Sequence, residues 1–178
     1  MILTIGHSTH PIEKFLELLA VHGVEQLMDV RTIPKARRNP QYNTDALAEA
    51  LQAAHIHYRH MPGLGGLRHA RRDSVNTGWR NMSFRGYADY MQTAAFEESL
   101  ADCLALAKRE RVALMCAEAV PWRCHRSLIA DALIVRGIDA REITSGVRTR
   151  PHVLTPWAKV SGTRVTYPAA DAAQPGGQ

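Results

Sequence analysis

Short apolar runs alternate along this chain with longer stretches whose apolar residues recur at helical spacing. Ile2–Ile5, Leu27–Val30, His57–Met61, Val112–Met115 and Ala140–Ile143 read as strands, the third least clearly because of its histidines and Arg59. Between them, Ile12, Phe15, Leu16 and Leu19 mark a helix that follows Pro11 and stops near Gly23. Leu47, Ala50, Leu51 and Ala54 mark a second, capped by Asn43 or Thr44. Helical pattern resumes over 84–91. It continues with Phe96, Leu100, Cys103, Leu104 and Ala107, then with Leu128, Ile129, Ala132 and Leu133, ending near Gly137. Strands joined by helices pair in parallel, and the crossovers cover both faces of the sheet. The expectation is a three-layer α/β domain with a mostly parallel sheet of about five strands.

That pattern spans 1–145, and 178 residues suit one globular domain. Beyond it, Pro151, Pro156 and Pro168 punctuate a C-terminal extension over 146–168. Ser161-Gly162 can turn a small hairpin between Ala158–Val160 and Arg164–Tyr167. Residues 169–178, rich in Ala, Gly and Pro, are expected as a flexible tail. The stretch 62–82 has no period and carries four glycines with Arg68, Arg71, Arg72 and Arg80. A segment of that length is either functional or mobile.

Charge and cysteine usage narrow the setting. Lys and Arg number 22 against 17 Asp and Glu, a formal charge of +5. This is compatible with phosphate-bearing partners without requiring them. No apolar run approaches the ~18 residues of a membrane span, so no membrane partner is expected. Three cysteines are an odd count for a disulfide framework, and the opening Met-Ile-Leu-Thr-Ile-Gly-His lacks an export leader. A reducing, cytoplasmic location is expected.

In a parallel sheet, ligands gather at the carboxyl ends of the strands. Three polar clusters follow predicted strands: Gly6-His7-Ser8, Asp29 with Arg31, and Cys116 with Glu118. All three are expected on one rim. The densest chemistry is the segment from Cys116 to Arg126, which joins a strand to a helix. The opening N–H groups of that helix favour negative charge nearby. Cys124, beside His125, Arg123 and Arg126, would have its thiolate favoured, and Arg123 and Arg126 could hold an anion. Glu118 could act as a general base or pair with a cation such as Arg31 or Arg126. Cys116 reads equally as a nucleophile or a small buried residue at a strand end, whereas Cys103 lies on an apolar helical face and belongs to the core. Gly65 and Gly66 beside Arg68 form either a turn or a lid over phosphate groups.

Several familiar motifs fail on spacing. A phosphatase loop needs Cys, five residues, then Arg. From Cys116 that position holds Trp122, and from Cys124 it holds Ala130. Seven residues separate Cys116 from Cys124, unlike a thioredoxin pair, and Cys116, Glu118, Cys124 and His125 match no common zinc pattern. Gly6-His7-Ser8 is neither a dinucleotide fingerprint nor a phosphate-binding Walker loop. No metal or cofactor is therefore expected.

Together, the ordered motifs Thr4-Ile5-Gly6-His7-Ser8, Asp29-Val30-Arg31 with Pro34, Leu64-Gly65-Gly66 with Arg68, Tyr87 with Tyr90 and Met91, Leu114-Met115-Cys116-Ala117-Glu118, and Cys124-His125-Arg126 followed by Leu128-Ile129-Ala130-Asp131 resemble the domain-of-unknown-function 488 family. The resemblance covers roughly 1–145. It implies a Rossmann-like α/β domain and marks Cys116, Glu118, Cys124, His125 and Arg126 as its characteristic cluster. It implies no particular activity.

The leading expectation is a hydrolase or transferase acting on a phosphate-containing substrate, a nucleotide or nucleic acid. Cys116, Glu118, Cys124 and His125 are its candidate catalytic groups. Gly6, His7, Ser8, Asp29, Arg31, Gly65, Gly66, Arg68, Arg123 and Arg126 are its candidate substrate-binding residues. One alternative is a non-catalytic nucleic-acid-binding module, with Arg37, Arg38, Arg68, Arg71, Arg72 and Arg80 tracking phosphates and Trp79 or Tyr42 stacking on bases. A thiol or metal redox sensor is the other.

Overall fold

A computed structural model describes residues 1–170. The expected tail lies mostly outside the described residues. Six strands form one sheet: β1 (Ile2–Gly6), β2 (Gln26–Asp29), β3 (His57–His60), β4 (Val112–Cys116), β5 (Ala140–Ser145) and β6 (Arg148–Pro151). Their spatial order is β3-β2-β4-β1-β5-β6. All pairings are parallel except β5 with β6, which is antiparallel. The helices are α1 (Ile12–Val21), α2 (Thr44–Ala53), α3 (Met82–Tyr90), α4 (Ala94–Ala107) and α5 (Arg126–Ile134). The architecture is the expected Rossmann-like α/β sandwich, with one more strand than the apolar runs indicate. β6 reads Arg-Thr-Arg-Pro and packs no apolar face, so only its partner β5 reveals it.

Side chains alternate across the sheet and build two cores. Leu3, Ile5, Leu27, Ala113 and Met115 meet Phe15 and Leu19 of α1 and Leu47 and Leu51 of α2. On the opposite face Ile2, Met28, Val112 and Leu114 meet Tyr87, Phe96, Leu100, Leu128 and Leu133. β4 is buried along its whole length, which is why Val-Ala-Leu-Met-Cys reads as an unbroken apolar run. β3 is an edge strand with alternating exposure, and its weak sequence pattern follows from that.

The irregular stretch 62–81 is pinned rather than loose. The Asp89 carboxylate accepts from Ser74 Oγ, Asn76 Nδ2 and the Arg71 amide. Tyr87 and Tyr90 hydroxyls donate to the carbonyls of Leu64 and Gly63. Arg68 donates to the carbonyls of Gly65 and Pro62 and stacks 3.6 Å over the Tyr90 ring. The segment thus forms a fixed wall above α3.

The C-terminal extension folds back on α5. β7 (Lys159–Ser161) and β8 (Arg164–Thr166) form the expected hairpin. Fully buried Asp131 of α5 anchors it, accepting from His152 Nε2 at 2.7 Å, Thr155 Oγ1 at 2.7 Å and Tyr167 Oη at 2.8 Å. Nothing in the helical pattern marks Asp131 as a hub. A carboxylate on an inward helical face nevertheless requires such partners. Asp131→Ala should cost about 3 kcal/mol, because it leaves the buried Tyr167 hydroxyl and the half-buried His152 and Thr155 donors unpaired. Urea unfolding should register that loss, and proteolysis should then cut between 152 and 166. Unchanged stability and protection would refute the anchoring role.

Candidate functional site

β4 lies between β1 and β2 although it follows both in the chain. The connections after β1 and β2 run to α1 and α2 on one face, whereas β4 leads to α5 on the other. A crevice must open where adjacent connections diverge, at the carboxyl end of β4. The register aligns the ends: Gly6 opposes Cys116, and Asp29 opposes Met115. Segments distant in sequence therefore share one rim.

A hollow of about 260 Å³ opens there, with Cys116, Glu118, Arg123, Cys124, His125, Arg31 and Gly66 on its walls. Leu67, Ser83, Phe84 and Tyr87 close the remaining side. The sequence motifs did not single out Leu67, Ser83 or Phe84 for a site. Their one signal was the position of Leu67 inside the aperiodic stretch.

The two cysteines face each other, Sγ to Sγ 2.9 Å, and are 2% and 7% exposed. Arg126 Nη1 donates to Cys116 Sγ at 2.7 Å and to the carbonyls of Ile5 and Glu118. Donation from the Cys124 thiol, with the Arg126 charge, holds the Cys116 thiol below its ordinary range. Cys124 is pushed far up by the same contact and by burial. Of the two sulfurs, Cys116 is therefore the one whose thiolate the surroundings favour. The Cys124 sulfur also accepts the Arg126 amide at the start of α5 at 3.4 Å. Cys103, by contrast, is pushed up to about 12 by burial alone and is core.

His125 donates through Nε2 to the Val30 carbonyl at 3.0 Å, which leaves Nδ1 as the acceptor facing Cys124 Sγ at 3.6 Å. Burial lowers its pKa to about 4, so near neutrality it is an uncharged acceptor. A Cβ on Gly66 would stand 3.0 Å from that Nδ1, so the close approach favours glycine there. Gly6 is more constrained. A Cβ there would meet the Glu118 carbonyl oxygen at 1.9 Å, and this permits the β4–α5 connection to cross β1.

Other candidates frame the hollow. Asp29 is fully buried and grips Arg31 through Nε at 2.8 Å and Nη2 at 2.6 Å, while Tyr58 Oη donates to the same carboxylate. Arg31 Nη1 also approaches His7 Nε2 at 3.4 Å. His7 is buried, stacks on Tyr42 at 4.0 Å and donates through Nδ1 to the Ser8 carbonyl. Ser8 adopts φ 48° and donates its amide to Ala117. Gly6, His7, Ser8, Asp29, Gly65, Arg68 and Arg126 do not line the hollow, and Arg126 is 1% exposed. Glu118 is exposed at the mouth, its carboxylate on the Val120 amide rather than on Arg31 or Arg126. Tyr42 is fully buried, and Trp79 packs between Phe84 and Trp157, so neither ring offers an open stacking face. Among the described residues, no three His, Cys, Asp or Glu side chains are grouped to hold a metal ion. No helix among them is long and apolar enough to cross a membrane.

His7 and His125 make acid stability a readout of this packing. Burial lowers both to about 4 from an unfolded value of 6.5. Between those pH values the unfolded chain binds more protons. Stability is therefore complete above 6.5 and falls as pH drops toward 4, by roughly 3 kcal/mol per histidine at most. Urea midpoints measured across that window should fall steeply, and a flat profile would contradict the burial.

The family model described as Domain of unknown function DUF488 matches residues 11–133, well over half of the chain. No curated protein and no solved structure matches. The match runs from the first helix through β4, the paired cysteines and α5, so the hollow is built almost wholly from family sequence. The chain belongs to the DUF488 family.

Proposed function

We propose that the protein is a thiol-dependent hydrolase or transferase for a phosphate-containing substrate, with Cys116 as nucleophile. The observation that carries this reading is the Cys116 sulfur at the floor of the hollow, receiving Arg126 Nη1 at 2.7 Å and the Cys124 thiol at 2.9 Å. A thiolate so stabilised is the reactive form of cysteine. Arg31 and exposed Arg123 on the walls favour an anionic substrate. A cytoplasmic, reducing setting suits a free thiol pair.

The chemistry balances with groups at hand. Cys116 Sγ attacks phosphorus, an S–P bond forms and the P–O bond to the leaving group breaks. The leaving oxygen takes the Cys124 proton, whose release becomes easier once Cys116 no longer carries the anion. Water, or an acceptor alcohol, then attacks phosphorus and gives its proton to Glu118 while Cys116 leaves as thiolate. Glu118 finally returns that proton to Cys124.

Iodoacetamide should modify Cys116 with a pH midpoint below the ordinary ~8.5 of a free thiol. Cys124→Ala should move that midpoint upward. With p-nitrophenyl phosphate as probe, turnover should fall by about a hundredfold or more in Cys116→Ser, the scale of losing a nucleophile. Absence of turnover, or turnover indifferent to that substitution, would sink the proposal.

The 2.9 Å sulfur separation favours a second reading, a peroxide-responsive thiol pair. Two thiols and one hydrogen peroxide would yield one disulfide and two waters. Intact mass should then fall by two hydrogens, and Cys103 should remain the sole free thiol. Sulfinic acid on Cys116 instead of a disulfide would exclude this second role.

A further inference from the structure

A second cavity of about 490 Å³ lies between the β4–α5 connection, α5, β5, the edge strand β6 and the extension. Its volume is that of a small-molecule site. All three tryptophans of the chain, Trp79, Trp122 and Trp157, line it. Trp79 and Trp157 meet edge to face at 4.9 Å, and the Arg150 guanidinium lies 5.4 Å from the Trp122 ring centre. Trp79 is covered by its neighbours, whereas exposed Trp122 and Trp157, with the guanidinium, suit a flat ring.

Two buried N–H donors among the described residues lack any hydrogen-bond partner, Arg126 Nε and Trp79 Nε1, and both residues line this cavity. Orphaned buried donors are costly, and two beside one cavity call for a ligand with acceptor atoms. The guanidinium groups around them already have hydrogen-bond partners. Arg126 Nη2 and Arg150 Nη2 take the two oxygens of Glu142 at 3.4 and 2.7 Å, and Arg126 Nη1 takes the Cys116 sulfur. A neutral acceptor such as a ring nitrogen or carbonyl therefore suffices, and an anion is not required.

We infer that this cavity binds a planar heteroaromatic molecule of nucleoside size, its ring nitrogen or carbonyl acceptors meeting Arg126 Nε and Trp79 Nε1. The inference goes beyond the thiol chemistry and does not depend on it. Arg126 nevertheless links the two places, since it lines the cavity, keeps Nε unpartnered and donates Nη1 to Cys116.

Adenosine, inosine and uridine are suitable probes, followed by calorimetry and by quenching of tryptophan emission in the intact chain. At least one should bind in the micromolar to submillimolar range. Trp79→Phe keeps a ring but removes the N–H, and should weaken binding about tenfold, the usual cost of losing one well-made polar contact. Val153→Phe fills the exposed mouth and should abolish binding. Val153 is 78% exposed, so that variant tests the cavity without burdening the fold. Iodoacetamide rates on the unliganded variants should match the parent, which separates a failed cavity from a failed thiolate. No heat or quenching with any of the three nucleosides would overturn the proposal. Binding untouched by both substitutions would also overturn it.

Discussion

The guanidinium of Arg126 is the contact on which this structure turns. It sits at the first position of α5, 1% exposed, and donates to the end of β1 through Ile5, to the end of β4 through Cys116, to the following loop through Glu118 and to β5 through Glu142. A buried charge without partners would be prohibitive, so these elements must converge for the fold to exist. The same convergence places a cation on the Cys116 sulfur and leaves Nε without a partner in a residue that lines the neighbouring cavity. Packing and chemistry are two consequences of one buried ion.

Three buried aspartates repeat that logic locally. Asp29 holds Arg31 and thereby one wall of the hollow. Asp89 ties down the aperiodic stretch through Arg71, Ser74 and Asn76. Asp131 anchors the extension through His152, Thr155 and Tyr167. Each carboxylate fixes a segment that has little apolar surface of its own. Directional hydrogen bonds thereby order loops that hydrophobic burial could not.

Much of the site was legible because its residues sit where strands end. Cys116, Glu118, Cys124 and His125 fall within one connection, and the hollow brings them together with Arg31 and Gly66. Asp29 and Arg31 do face one another, as their spacing permits. Less legible was the division of labour. Arg123 and Arg126 read alike as anion ligands from their place near the helix start, yet Arg126 is buried while Arg123 is exposed. Residues three positions apart near a helix start point in different directions, and only packing decides which points inward.

From sequence alone came the class of fold, the strand positions within a residue or two, and the rim to which the polar clusters belong, because period and strand ends are local properties of the chain. Tertiary structure alone decided that β6 joins the sheet, that Cys116 and Cys124 meet at 2.9 Å, and that all three tryptophans surround one cavity. Those outcomes depend on the order in which strands assemble and on which buried charges find partners. Neither is encoded in any single window of residues.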